Sequence, residues 1–314
     1  MSFYRAFLPI VACLGLLSCR PTEDKNVQEP VASKETRDCN NDYLFLVQIK
    51  GKYGYINCAG NIVIAPQFEI GGQFREGLAS VRVGDEWGFI DKTGKMVIAP
   101  RFRNVWEFSE GLAFAAEKGS PNWGVIDKTG KFVIEPKFEN GIEFSEGLAY
   151  VDINLGGRHY INRKGETALV LSEGYYPGDN FHEGLAVVNK NNKFGFINKT
   201  GEVIIPPQYD GAGGFSDGLS VVDINGKAIY IDKTGKQVIS QGYDNTFGFS
   251  EGLAAVEING KWGFIDKTGR IVIHPQFKSV SLFRGGLAGA TNLDGKGGYI
   301  NKLGRYVWGP MSRD

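Results

Sequence analysis

Residues Leu253 to Gly286 read LAAVEINGKWGFIDKTGRIVIHPQFKSVSLFRGG, and each part has a local physical meaning. LAAVEI is a short apolar, β-branched run and predicts a strand. Asn259-Gly260 follows, a pair that tolerates positive φ at both positions and closes a two-residue hairpin. KWGFI predicts the second strand. In the next turn Asp266 can accept from backbone N–H groups, and Gly269 supplies the left-handed residue. RIVI predicts a third strand. Pro275, which cannot donate to a ladder, is expected to end it. The rest predicts a loop carrying two aromatics, Phe277 and Phe283.

The same unit recurs outward in both directions. Its leucine column is Leu44, Leu78, Leu112, Leu148, Leu185, Leu219, Leu253 and Leu287. Steps are 34 residues, except 36 and 37 on either side of Leu148. Phe68, Phe102, Phe138, Tyr175, Tyr209, Tyr243 and Phe277 form one aromatic column. A second, six residues later, runs from Phe74 to Phe283. A period of this size means an array of supersecondary units. Three short strands are marginal alone, so each unit must bury its aromatics against the next. The expectation is an all-β protein, a tandem array of eight ~34-residue three-stranded repeats arranged like a propeller. An open β-solenoid or superhelix is the alternative. Glycine, at 44 of 314 residues, is about twice as frequent as usual, as so many turns require.

The repeats also carry a resemblance. WGFID at Trp87 and Trp262, WGVID at Trp123, five KTG turns, and EGLA at Glu76, Glu110, Glu146, Glu183 and Glu251 resemble the bacterial WG-repeat (KWG-type) family. The resemblance covers residues 43–310. It implies a β-rich, often exported repeat protein and lends no catalytic residues. The Trp-Gly column departs at Arg158-His159, Ala228-Ile229 and Gly297-Gly298.

The N-terminus reads as an address. Residues 1–19 are MSFYRAFLPIVACLGLLSC, with Arg5 ahead of an uncharged run from Ala6 to Leu17. The run is too short to span a bilayer and suits a signal peptide. Leu16-Leu17-Ser18-Cys19 resembles a bacterial lipobox, which implies removal of residues 1–18 and acylation of Cys19. The alternative is an ordinary secretory signal with an incidental Cys19. Residues 19–42 then hold the acylated cysteine and a charged tether without aromatics, and 311–314 a short tail. The expected address is the bacterial envelope, anchored in the membrane by lipid. Arg20 after the cysteine points, by analogy with such lipoproteins, to the outer membrane if the cell is Gram-negative. Cys39 and Cys58 would then sit in an exported compartment, either bonded to each other or as two free thiols.

Lys+Arg and Asp+Glu are both 35, which argues against a nucleic-acid partner. The Asp and Asn residues before each KTG-type turn are matched in all units and read as turn caps. The Glu of EGL reads as structural. No calcium loop, HExxH, CxxC, GxSxG or Walker A motif occurs, so no catalytic residue, metal or cofactor is expected. Binding or scaffolding is the expected role, with an unnamed protein or glycan partner. A glycan-active hydrolase or a purely structural protein is the alternative. Irregular spacings fall at Lys118–Asn122, Asn154–Gly156 and Thr167–Gly174. Arg158, His159, Tyr176 and His182 cluster there in sequence and form the expected ligand-contact rim.

Overall fold

The computed structural model describes residues 42–153 and 157–311, and every regular element in them is a β-strand. Residues 1–41, with Cys19 and Cys39, lie outside the described residues, as do Asn154–Gly156 and 312–314.

Each repeat supplies its three full strands. In the seventh these are Leu253–Ile258, Lys261–Asp266 and Ile271–Phe277. Asn259 (φ 52) and Gly260 (φ 72) both take the left-handed conformation that the tight hairpin needs. Asp266 Oδ1 accepts from the Thr268 N–H at 2.9 Å and the Arg270 N–H at 3.1 Å, the capping role expected of it. Pro275 does not end the third strand. Past Ile273, which pairs with Phe264, the strand shifts register and pairs Phe277 with Trp262. Pro275 sits in that bulge, where a missing donor is tolerated.

The aromatic loop also contributes more than expected. Asn245–Thr246 and Ser279–Val280 are two-residue strands, each pairing with the first strand of the following repeat. Most sheets are therefore four-stranded, in the order tail strand, one, two, three, with the tail supplied by the preceding repeat. We call the three strands of each repeat, with any tail strand from the repeat before, a blade, numbered along the chain. Met96–Val105 runs from blade 2 into blade 3 without a break, merging the two into one seven-stranded sheet. Blade 1 has three strands, Phe45–Ile49, Lys52–Ile56 and Ile62–Phe68.

The core lies between blades. Leu253, Phe264, Ile273 and Phe277 of blade 7 pack with Phe283, Ala288, Ala290 and Ile300, which enter or belong to blade 8. Equivalent clusters fill each junction from blades 1 and 2 through to blades 7 and 8. An eighth joins the ends: Phe45, Val47, Ile56 and Cys58 of blade 1 pack with Leu287, Tyr299 and Trp308 of blade 8. The Tyr299 hydroxyl donates to the Leu46 carbonyl at 2.8 Å. The array is thus a closed, propeller-like ring rather than an open superhelix, and closure leaves fewer bare sheet edges. Cys58 is buried in the closing cluster and is disulfide-bonded.

The EGL glutamates hold the blades to one another. Each adopts a positive φ of 51 to 54° at the turn before strand one. Its carboxylate accepts from the turn glycine of the next repeat: Glu76 from Gly111, Glu110 from Gly147, Glu146 from Gly184, Glu183 from Gly218, Glu251 from Gly286. Asp217 does the same for Gly252 at 2.7 Å. A lysine of the KTG-type turn closes four of these clamps, as Lys128 does on Glu76 (3.2 Å) and Lys199 on Glu146 (3.0 Å). Burial pushes the Glu76 and Glu146 carboxyls up, but hydrogen bonds from glycine N–H and lysine outweigh it and hold both below the usual glutamate value. A depressed folded-state value stabilises the fold above the unfolded value and loses that contribution as pH falls. The melting temperature should therefore hold steady above about pH 5 and fall below about pH 4. Glu146→Gln should flatten that acid limb in a thermal melt series. An acid limb as steep as in the unaltered protein would remove Glu146 from the account.

Candidate functional site

With turns and clamps assigned, the residues that break the repeat are the candidates for a site. The four rim residues divide into two places. Arg158 and His159 are neighbours on the strand Gly157–Asn162, so their side chains face opposite sides of the sheet. Arg158 pairs with Asp152 at 3.3 Å and lies over the Tyr176 ring at 5.9 Å, bridging blades 4 and 5. Tyr150 donates to the same Asp152 at 2.5 Å, so the arginine is held on a fixed acceptor. Tyr176 is 53% exposed. His159 is half-buried between Val151 and Val170 in the ladder.

His182 ends the strand that Tyr176 begins, Tyr176–His182, roughly 20 Å away at strand rise. Its Nε2 lies 3.8 Å from Asp179 Oδ2. The hydrogen bond to Asp179 raises its pKa above the ordinary histidine value, against burial and with help from Glu143 and Glu146. Arg158 with Tyr176 forms one contact patch, and His182 belongs to another.

That second patch was legible only as exceptions. Serine holds the column three residues before the leucine in four repeats, and Ser109, Ser145 and Ser250 each donate to a phenylalanine carbonyl of the next repeat. Arg75, His182 and Arg284 replace it elsewhere. Burial, then the nearby Arg75 charge, lower the Arg284 pKa, while Tyr43, Glu143 and Glu107 oppose the shift. Arg75 and Arg284, from repeats near opposite ends of the array, line one small cavity with Tyr43. Neither Arg75 nor Arg284 has an ion pair among the described residues. Glu107 and Glu143 share one column, five residues before the leucine in two consecutive repeats.

Two further features stand out. The Trp-Gly tryptophans are only half-buried at the edge of the inter-blade core. Trp123 stacks on Trp106 (6.4 Å, 30°) and Trp262 on Phe247 (4.9 Å, 15°), and both outer rings are exposed. A cleft of about 670 Å³ lies where the ring closes, between Leu46–Lys50 of blade 1 and the face of blade 8 that carries Ser281, Tyr299 and Trp308. Among the described residues no group of three or more His, Cys, Asp or Glu is placed to hold a metal ion.

A closed ring of small antiparallel sheets held by inter-blade aromatic cores defines a propeller-like repeat protein. The chain belongs to the family of WG-containing repeats, whose profile matches residues 53–87, 87–119, 123–154, 179–194, 194–227, 230–262 and 262–296. No functionally curated protein matches it. Among solved structures it is similar to dihydro-heme d1 dehydrogenase NirN, with TM-score 0.54 and 12% identity over 83% of this chain and 71% of that one. It is also similar to the computationally designed Ika8 protein, with TM-score 0.51 and 13% identity over 84% of this chain and 97% of that one. BamB from Moraxella catarrhalis gives TM-score 0.42 and 12% identity, covering 85% of this chain and 86% of its own. At 12 and 13% identity, the likeness to NirN and Ika8 shows a shared fold alone.

Proposed function

We propose that the protein is an exported, lipid-anchored binding module of the bacterial cell envelope. The observation that carries this reading is how its polar side chains are divided. The repeated carboxylates and lysines are engaged in caps and clamps that make the ring rigid. Of the side chains that break the repeat, Arg75 and Arg284 line one small cavity beside Tyr43, and His182 sits 3.8 Å from Asp179. A rigid scaffold presenting a varied charged set suits recognition of a partner. The lipobox-like LLSC at Leu16–Cys19 supports the anchor.

Two measurements test it. Labelling with a fatty-acid analogue should mark the protein and fail on Cys19→Ala; a labelled, membrane-bound Cys19→Ala form would end the anchor reading. Cross-linking in native envelope should capture a partner with the full chain, and capture of nothing would count against a binding role. A hydrolase is the second reading, because Glu107 and Glu143 are carboxylates that take part in none of the caps and clamps. Glycan cleavage lost on Glu107→Gln would favour it.

A further inference from the structure

Blade 1 differs from the other seven in one respect. Each of the others has an extended segment from the preceding repeat against its first strand. Among the described residues, nothing pairs with that edge of Phe45–Ile49. A bare edge of this kind is a template for one more strand. The ring itself shows what fits. In blade 2 Ile70 pairs with Arg82 and Gly71 with Val81, and the next N–H, from Gly72, donates to the Ser80 carbonyl at 2.8 Å. By the leucine column, the matching positions in blade 1 are Gln48, Val47 and Leu46. The Leu46 carbonyl here accepts instead from the Tyr299 hydroxyl.

Two cavities lie end to end along this strand. The cleft of about 670 Å³ flanks Leu46–Lys50. A smaller one of about 40 Å³ flanks Tyr43–Phe45 and is lined by Arg75 and Arg284. These arginines open blades 2 and 8, the two neighbours of blade 1. An added antiparallel strand runs from Lys50 toward Phe45, so its C-terminal end arrives at the two guanidinium groups. Arginine pairs with carboxylate through two parallel hydrogen bonds, and neither arginine here has such a partner. The Glu column reads Gly285 in this repeat, where a Cβ would meet the Tyr43 ring at 2.4 Å, so no clamp carboxylate reaches from this turn toward blade 1.

We propose that the closing seam binds the C-terminal segment of a partner protein, which adds as the fourth strand of blade 1 while Arg75 and Arg284 hold its terminal carboxylate. The proposal rests on the binding-module reading and names the chemistry of the partner. Backbone pairing at Val47 and Gln48 gives affinity with little side-chain selection, and the arginine pair selects a chain end over an internal segment.

The probe is a fluorescein-labelled hexapeptide, FKSVSL, copied from residues 277–282 of this chain and including the tail strand of blade 8. It is made with a free C-terminal acid and with a C-terminal amide. Fluorescence anisotropy with the full chain in detergent should show the acid binding at least tenfold tighter than the amide. Arg75→Gln with Arg284→Gln should erase that difference at an unchanged melting temperature. Hydrogen exchange on the unaltered protein should slow at residues 46–49 when the acid peptide is present. Equal binding of acid and amide would overturn the proposal, as would protection elsewhere on the ring. Binding seen only after truncation at Met311 would show that the chain's own end fills the slot, and a stable dimer would show that a second copy does. Either result would also overturn the proposal. A partner cross-linked in the envelope equally well by the double arginine variant would sink this site and leave the module reading standing. No partner with the unaltered protein would sink the module reading itself.

Discussion

Alanine at Phe264 is expected to cost the fold about 3–5 kcal/mol, and alanine at Trp262, two residues away on the same strand, only about 1–2 kcal/mol. The sequence motif would suggest the reverse, since the tryptophan is its most prominent member. The two rings lie on the same face of the strand, and their positions in the ring's packing explain the order. Phe264 is 1% exposed and sits within the junction of blades 7 and 8, with its ring 4.8 Å from that of Phe283. Removing it leaves a cavity bounded by two blades that are fixed by their other contacts, so little can collapse. Trp262 lies at the border of the same cluster and covers Phe247, itself 40% exposed. Its loss exposes surface but opens no closed void. Urea titrations of the two variants give the comparison. Equal losses would mean that the tryptophan is as much core as the phenylalanine, and would remove Trp262 and Phe247 as an accessible aromatic surface.

The repeat was legible because it repeats. Leucine, aromatic and turn columns forecast strands, hairpins and inter-unit packing, and the structure has all three. What was hidden falls into three physical kinds. Two-residue strands such as Asn245–Thr246 are too short to show alternation, so the fourth strand of most blades has the sequence of a loop. Ring closure depends on groups such as Leu46 and Tyr299, 253 residues apart, and no local pattern encodes that distance. The EGL glutamates were rightly read as structural, but their acceptor role toward a glycine N–H one repeat on is a property of the assembled ring. The rim residues show the limit of sequence proximity. Arg158 and Tyr176 meet, His159 faces the other side of its strand, and His182 lies at the far end of the next one. Arg75 and Arg284 were visible as breaks in the serine column, a signal that gains meaning only beside the open edge of blade 1.

The glycine of Trp-Gly explains the motif better than the tryptophan does. A Cβ at Gly263 would lie 2.5 Å from the Ile273 carbonyl oxygen and 2.7 Å from the Pro275 nitrogen. Both are backbone atoms, so no side chain can swing aside. The bulge that carries Pro275 presses the third strand onto the second at this point, and only glycine leaves room. Gly54 with Pro66, Gly88 with Pro100 and Gly195 with Pro207 repeat the contact at 2.6 to 2.8 Å. The exceptions support the same cause. Repeat six has Ile229 in the glycine column and Gln241 where the proline would stand; repeat four has His159 and no proline in Thr167–Val170. Glycine and proline are thus kept or lost together within one chain. Gly263→Ala should therefore destabilise by about 3 kcal/mol, the upper end for overpacking, because two strands must part. Adding Pro275→Gln should return part of that loss, since repeat six keeps the same register with Ile229 and Gln241 at these two positions. A double-mutant cycle from urea titrations reads the coupling directly, and a value within about 0.5 kcal/mol of additivity would show that the two residues act independently.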